Sequence, residues 1–210
     1  MTNDDLRDDL AYVKALAEEG RNTPLIGGRF YLLWGVVIGA AAFVSWLDAM
    51  GVIVLNDVVQ LTMWIGAFVL GWALTVFISA RSCPRPGGTS MGNKTASSVW
   101  FAVGIFMTVF WVGLLIVHDN FARFGVPPYF LFNIMFPVAF GLYGVAFFAT
   151  ATAARVSWLK GVALAAFGFS FLSLLFMTSP HQSLIGLIGL IVCAIAPGIV
   201  LMRSEPSEIV

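Results

Sequence analysis

Residues 184–202 read LIGLIGLIVCAIAPGIVLM, a run of 19 residues that contains no charged side chain. A helix that crosses the hydrocarbon layer of a bilayer needs about 20 mostly apolar residues. The run is therefore predicted to be a transmembrane helix, and Arg203 follows it directly. Pro197, within Ala196-Pro197-Gly198, predicts a kink in this helix.

Five further apolar runs of similar length precede this one. They cover residues 30–47, 61–80, 99–117, 130–154 and 161–177. The 210-residue chain is 60% hydrophobic and only 10% charged, with a mean hydropathy of +0.93, which is far from the composition of soluble domains. We predict an all-α integral membrane protein with six transmembrane helices.

The basic residues are distributed unevenly between the two sides that six spans define. Ten of the eleven lie in segments that would share one side, and Arg123 alone lies on the other. The ten are Arg7, Lys14, Arg21, Arg29, Arg81, Arg85, Lys94, Arg155, Lys160 and Arg203. Because basic residues near span ends remain in the cytoplasm, both termini are predicted to be cytoplasmic. The polar, acidic first twenty residues do not form a signal peptide, and a bacterial inner membrane is the expected location.

The chain divides into a short leading segment, residues 1–28, and a transmembrane domain, residues 29–210. Leu6, Leu10 and Val13 recur at helical spacing, so residues 1–20 predict a cytoplasmic amphipathic helix. Its polar face is mainly acidic, which disfavours binding to anionic lipid. Two interpretations remain: the helix packs beneath the basic cytoplasmic loops, or it docks a cytoplasmic protein or a second copy of the chain.

The even-numbered spans share a pattern that suggests internal repetition. Each contains a pair of glycines and ends at an arginine on the predicted cytoplasmic side. With short links on the other side, this predicts three helical hairpins. Apolar, glycine-rich spans resemble one another in any case, so true duplication and simple compositional similarity both remain open.

No predicted span has an Asp, Glu, Lys, Arg or His in its interior. Ionisable residues within the membrane are typical of ion pathways and proton relays, so their absence disfavours a coupled transporter. A His-Glu-x-x-His helix, as an intramembrane metalloprotease requires, does not occur. We therefore predict a protein that is not an enzyme, has no cofactor and has no nucleic-acid partner.

Five polar residues are predicted on the outer rim, and all are candidates for an external site. They are Asp48, Asp57, His118, Asp119 and His181. Imidazole and carboxylate can bind zinc or copper, and histidine titrates near neutral pH. No close His/His spacing supports a metal site at His118 and His181, so solvated helix ends are the main interpretation and a metal or pH-sensing site the alternative.

Within the spans, Asn133 and Pro137 form the most suggestive pair. Proline cannot donate to the carbonyl four residues earlier, which is that of Asn133, and Tyr143 follows within two turns. A neighbouring helix could satisfy the freed groups, or they could line a cavity for water or a ligand. Trp72 and Trp111 lie deep in their spans and are candidates to line a pocket. Four further tryptophans are interpreted as interface anchors, namely Trp34, Trp46, Trp100 and Trp158.

Three functions fit these patterns. The first is a non-enzymatic multi-pass membrane protein that senses, scaffolds or regulates through lipid and protein contacts. The second is a passive channel or transporter for a small neutral or lipid-like solute, favoured by the two proline-containing spans. The third is a metal- or cofactor-holding subunit that uses the two histidines.

Overall fold

A computed structural model describes residues 24–81 and 90–205. The helix predicted for residues 1–20 lies outside these ranges. Within them the chain forms helices joined by short loops, and no strand occurs. The elements in chain order are α1 (Gly28–Ala49), α2 (Asp57–Ala80), α3 (Met91–Ala122), a 3-10 helix (Pro128–Ile134), α4 (Met135–Ala154), α5 (Trp158–Leu175), α6 (Gln182–Leu190), a π-helical segment (Ile191–Ile195) and α7 (Ala196–Ser204).

Within residues 24–81 and 90–205, six helical spans are long and apolar enough to cross a membrane, which confirms the predicted all-helical architecture with six such helices. The 3-10 helix and α4 form the fourth span, and the sixth is Gln182–Ser204. The third helix is longer than predicted because Ser90 caps it, its hydroxyl accepting from the Asn93 amide N–H at 3.3 Å. Polar residues at its ends therefore extend the helix beyond its apolar stretch.

Successive spans run in opposite directions, so the molecule has two distinct ends. We call one the Asp57 end, where α2 and α6 begin, and the other the Asn93 end, where α1 and α3 begin. Among the described basic residues, Arg123 lies at the Asp57 end and the others lie at the Asn93 end. They are Arg29, Arg81, Lys94, Arg155, Lys160 and Arg203.

The packing does not separate into three hairpins. The two most extensive contacts between spans join different predicted hairpins: α1 packs along α6, the π segment and α7, and α4 packs along α5. The buried core lies mainly between α4, α5 and the sixth span, with Phe140 and Phe147 among its largest fully buried side chains. The hairpin grouping therefore gains no support from the contacts.

The first and sixth spans meet through glycines. A Cβ atom on Gly28 would lie 2.5 Å from the carbonyl oxygen of Gly198, and one on Gly198 would lie 2.8 Å from both the Gly28 oxygen and the Leu32 nitrogen. Small residues let transmembrane helices approach this closely, and here the obstructing atoms belong to the backbone. The two helices are thus fixed at a spacing that larger side chains do not permit.

Polar groups at the Asn93 end join distant parts of the chain. The Glu205 carboxylate accepts from the backbone N–H groups of Gly27 and Gly28, at 2.8 and 3.1 Å, and so caps the start of α1. Asn93 accepts from Ile26 N–H at 2.8 Å and donates to the Pro24 carbonyl at 3.0 Å. The segment leading into α1 is therefore held by α3 and by the end of the sixth span.

Both prolines noted in the sequence stand at changes of helix type. Pro137 lies in the first turn of α4, directly after the 3-10 helix, rather than in the middle of a continuous helix. Pro197 follows the π-helical segment Ile191–Ile195 and occupies the first turn of α7. Because proline has no amide N–H, each also leaves a carbonyl of the preceding turn without its helical partner.

Candidate functional site

An elongated cavity of about 810 Å³ lies inside the bundle. Its volume is in the range of about 300–1,000 Å³ that is usual for small-molecule sites. Residues from Asp57 to Ser79 of α2 line it, and at 1.5 Å per residue this distance is roughly 33 Å. The cavity therefore follows the helix axes over about the thickness of a bilayer core.

Aromatic residues are the largest group in the lining. The aromatic residues come from the first four spans, and neither α5 nor the sixth span contributes one. They are Phe30, Tyr31, Trp34, Trp64, Phe68, Trp72, Trp100, Phe101, Trp111, Phe130, Phe132, Phe136, Phe140 and Tyr143. Such a lining suits an apolar molecule and gives little to hold a hydrated ion.

Indole rings seated on glycines join the helices around the cavity. The Trp34 ring of α1 covers Gly71 of α2, where a Cβ would lie 2.7 Å from the ring. The indole N–H of Trp34 donates to Thr75 Oγ1 at 3.1 Å, and that hydroxyl donates to the Gly71 carbonyl at 2.8 Å. The Gly-x-x-x-Thr pattern thus supplies both the space for the ring and an acceptor for its N–H.

The same pattern recurs between α2 and α3. The Trp72 ring lies against Gly104, where a Cβ would be 3.2 Å away, and its N–H donates to Thr108 Oγ1 at 3.1 Å. Thr108 in turn donates to the Gly104 carbonyl at 2.8 Å. The backbones of α2 and α3 make little contact, so these side chains are their main connection.

Two more aromatic contacts support this arrangement. Phe68 of α2 stacks on Trp111 of α3 with ring centroids 5.1 Å apart. Trp64 of α2 donates through its indole N–H to Ser45 Oγ of α1 at 3.2 Å. The second span is therefore held by indole hydrogen bonds and ring contacts on both sides of the cavity.

The Trp72–Thr108 bond gives a testable stability prediction. Thr108→Val should leave the half-buried Trp72 indole N–H without its acceptor and lower the free energy of unfolding by about 0.5–1.5 kcal/mol. Thermal unfolding in detergent measures the loss. Thr152→Val is the matched control, because Thr152 also bonds its own carbonyl four residues back, at 2.8 Å, but receives no indole. Equal losses in the two variants would contradict the assigned role of the indole bond.

At the Asp57 end, Asn133 and Gln182 connect the fourth, fifth and sixth spans. Gln182 Nε2 donates to the Asn133 carbonyl at 2.7 Å and to the Ser173 carbonyl at 3.0 Å. Asn133 Nδ2 donates to the Met177 carbonyl at 3.1 Å. The carbonyl that Pro137 leaves without its helical partner is therefore satisfied by a neighbouring helix, and both amide residues also line the cavity.

The candidate residues from the sequence fall into two groups. Asn133, Tyr143, Trp72 and Trp111 line the cavity. Pro137 is buried beside it, and its carbonyl accepts from Ser170 Oγ at 2.7 Å. The structure thus brings four of these five residues to one site.

The predicted rim residues do not converge in the same way. Asp57 lines the cavity. The Asp48 carboxylate instead accepts a hydrogen bond, at 2.8 Å, from the backbone N–H of Leu55 in the loop after α1. Asp119 and His181 are exposed, and the His118 side chain is not among those that the structure describes. No group of three His, Cys, Asp or Glu suited to a metal ion occurs within the described residues.

Several lining residues had no distinguishing signal in the sequence. Gln182 is a single amide just before an apolar run, and Trp34 and Trp100 resemble interface anchors by position. The structure places all three on the cavity wall. The Gly-x-x-x-Thr spacing at Gly71 was visible, but which ring it accommodates depends on the neighbouring helix.

Comparisons of the chain with protein families, with curated proteins and with solved structures find no match.

Proposed function

We propose that this chain is a non-enzymatic multi-pass membrane protein that binds one neutral, chain-like lipid molecule inside its helix bundle. Sensing or regulation through that lipid is the role that we assign to it. The observation that carries the proposal is the aromatic cavity of about 810 Å³ running along the helix axes. Its elongated shape suits an extended hydrocarbon chain.

The lining also supports a neutral occupant. Among the described residues that line the cavity, Asp57 is the only charged one, and it stands at one end. Burying a charged group without a partner in an apolar site costs several kcal/mol, so an ionised chain is a poor occupant of the middle of the cavity. A neutral chain pays no such penalty.

The proposed orientation follows from the charges. The Asn93 end has six of the seven described basic residues and is therefore proposed to face the cytoplasm, in a bacterial inner membrane. The Asp57 end then faces the opposite side. Residues 1–20 lie outside the described ranges, and docking of a cytoplasmic partner or second copy there remains a prediction.

A second candidate function is passive passage of a small neutral solute or lipid. It is favoured by the reach of the cavity, since Asp57 and Gln60 line it near one end and Ser79 and Ser97 near the other. A binding site and a pathway share this geometry, and both require the cavity to accept a neutral molecule.

Binding of tritiated monooleoylglycerol to the purified protein in detergent tests the proposed function. We expect saturable binding with one site per chain, measured by scintillation proximity and displaced by the unlabelled compound. Binding that rises linearly with concentration, as simple partition into micelles does, would sink the proposal.

A further inference from the structure

Polar side chains line the cavity at both ends, and the Asp57 end has the one charged residue among the described lining residues. In the middle, the Thr75 and Thr108 hydroxyls each accept an indole N–H and donate to a backbone carbonyl. Their single protons are therefore used, and aromatic rings surround them. A ligand's polar group finds no free donor in these two hydroxyls.

At the Asp57 end, the Gln182 side chain has an acceptor that a ligand could use. It is only 4% exposed, and its Nε2 donates to two backbone carbonyls, which fixes the orientation of the amide. No described residue donates to its Oε1, although Gln182 lines the cavity. Among the described residues this oxygen is not one of the fully enclosed side-chain atoms that lack a partner, so it is accessible, and a ligand head that supplies a donor can form a hydrogen bond to it.

Asp57 and Gln60 add further polar groups at the same end. Both belong to the first turn of α2 and both line the cavity. The Asp57 carboxylate repels an anionic head and accepts hydrogen bonds from hydroxyl groups. Among the described lining residues no basic side chain offsets this charge.

On the basis of the proposed function, we infer that the Asp57 end of the cavity is a headgroup site for an amphiphile with a neutral head that donates hydrogen bonds, as a glycerol or alcohol head does. The hydrocarbon chain extends toward the Asn93 end between the aromatic rings. The site discriminates against two close relatives of this ligand: one whose head is anionic and one whose head has no donor.

Three ligands with the same chain separate these features. Monooleoylglycerol has a neutral head that donates hydrogen bonds, and methyl oleate has a neutral head without a donor. Oleate, once its carboxyl group is ionised, has an anionic head. In competition with tritiated monooleoylglycerol, we expect methyl oleate to bind about tenfold more weakly, because its head supplies no hydrogen-bond donor to the Gln182 oxygen. Oleate should also bind more weakly.

Two substitutions test whether Asp57 causes the weaker binding of oleate. Asp57→Asn should strengthen oleate binding about three- to fivefold and change monooleoylglycerol binding little. Asp48→Asn removes a charge at the same end, but Asp48 does not line the cavity. This variant should therefore leave the ratio of oleate affinity to monooleoylglycerol affinity unchanged.

The assignment of Gln182 is tested by Gln182→Leu, which should bring methyl oleate and monooleoylglycerol to similar affinities. Because this change also removes two hydrogen bonds, the ligand series on the unaltered protein stands as an independent measurement. If all three ligands bind the unaltered protein equally well, the headgroup site is refuted while the proposed function survives. If none binds saturably, the proposed function itself fails.

Discussion

Gly198→Ala is expected to destabilise the protein by about 1–3 kcal/mol, the usual cost of forcing an extra group into a packed interface. The new Cβ would lie 2.8 Å from the Gly28 oxygen and from the Leu32 nitrogen. Both are backbone atoms of α1, so no side-chain rotation relieves the overlap. The first and sixth spans must move apart, and the contact along α1 is weakened.

Thermal unfolding of the purified protein in detergent measures this effect. The matched control is Gly66→Ala, because Gly66 lies in α2 and a Cβ there meets nothing within 4 Å. That control should be neutral or stabilise the helix by up to about 1 kcal/mol, since alanine has the higher helix propensity. Similar behaviour of the two variants would show that the close approach of α1 and α7 does not hold in solution.

Ala139→Trp is expected to reduce monooleoylglycerol binding by tenfold or more without loss of stability. Ala139 lines the cavity from α4, one turn before Tyr143. An indole there would occupy part of the cavity between Phe136 and Tyr143, which also line it, so we expect it to obstruct the chain of the ligand. Filling an apolar cavity commonly stabilises a protein, so the unfolding temperature should stay constant or rise.

Val145→Trp supplies the control for added bulk in the same helix. Val145 is 57% exposed and does not line the cavity, so its replacement should leave binding unchanged. Both variants are compared in the scintillation proximity assay and by thermal unfolding. Full binding by Ala139→Trp would place the ligand outside this cavity.

The sequence predicted where the helices lie more reliably than which helices contact one another. Runs of apolar residues located all six spans, and errors were confined to the ends, where capping by Ser90 lengthens α3. Pro137 predicted a freed carbonyl at Asn133, and in the structure it stands directly after the 3-10 helix. The partner of that carbonyl, Gln182, is 49 residues away in the chain and could not be inferred from it.

The site was predicted only in part, for a similar reason. Trp72 and Trp111 were identified by their depth within a span, which is a local property. Trp34 looked like an interface anchor because depth alone does not reveal a ring seated on Gly71 of the next helix. Asp57 was grouped with the rim residues, and its place on the cavity wall depends on how α2 stands relative to α1 and α3.

By itself, the sequence determined which segments form helices long and apolar enough to cross a membrane, since crossing requires a continuous apolar length that each segment has or lacks on its own. The distribution of basic residues likewise predicted an orientation from local charge. Only the tertiary structure decided that α1 packs along the sixth span, that indoles join α2 to its neighbours and that a cavity remains between them. These features depend on contacts between residues far apart in the chain. In an apolar medium, shape and hydrogen bonding rather than hydrophobicity decide which helices pack together.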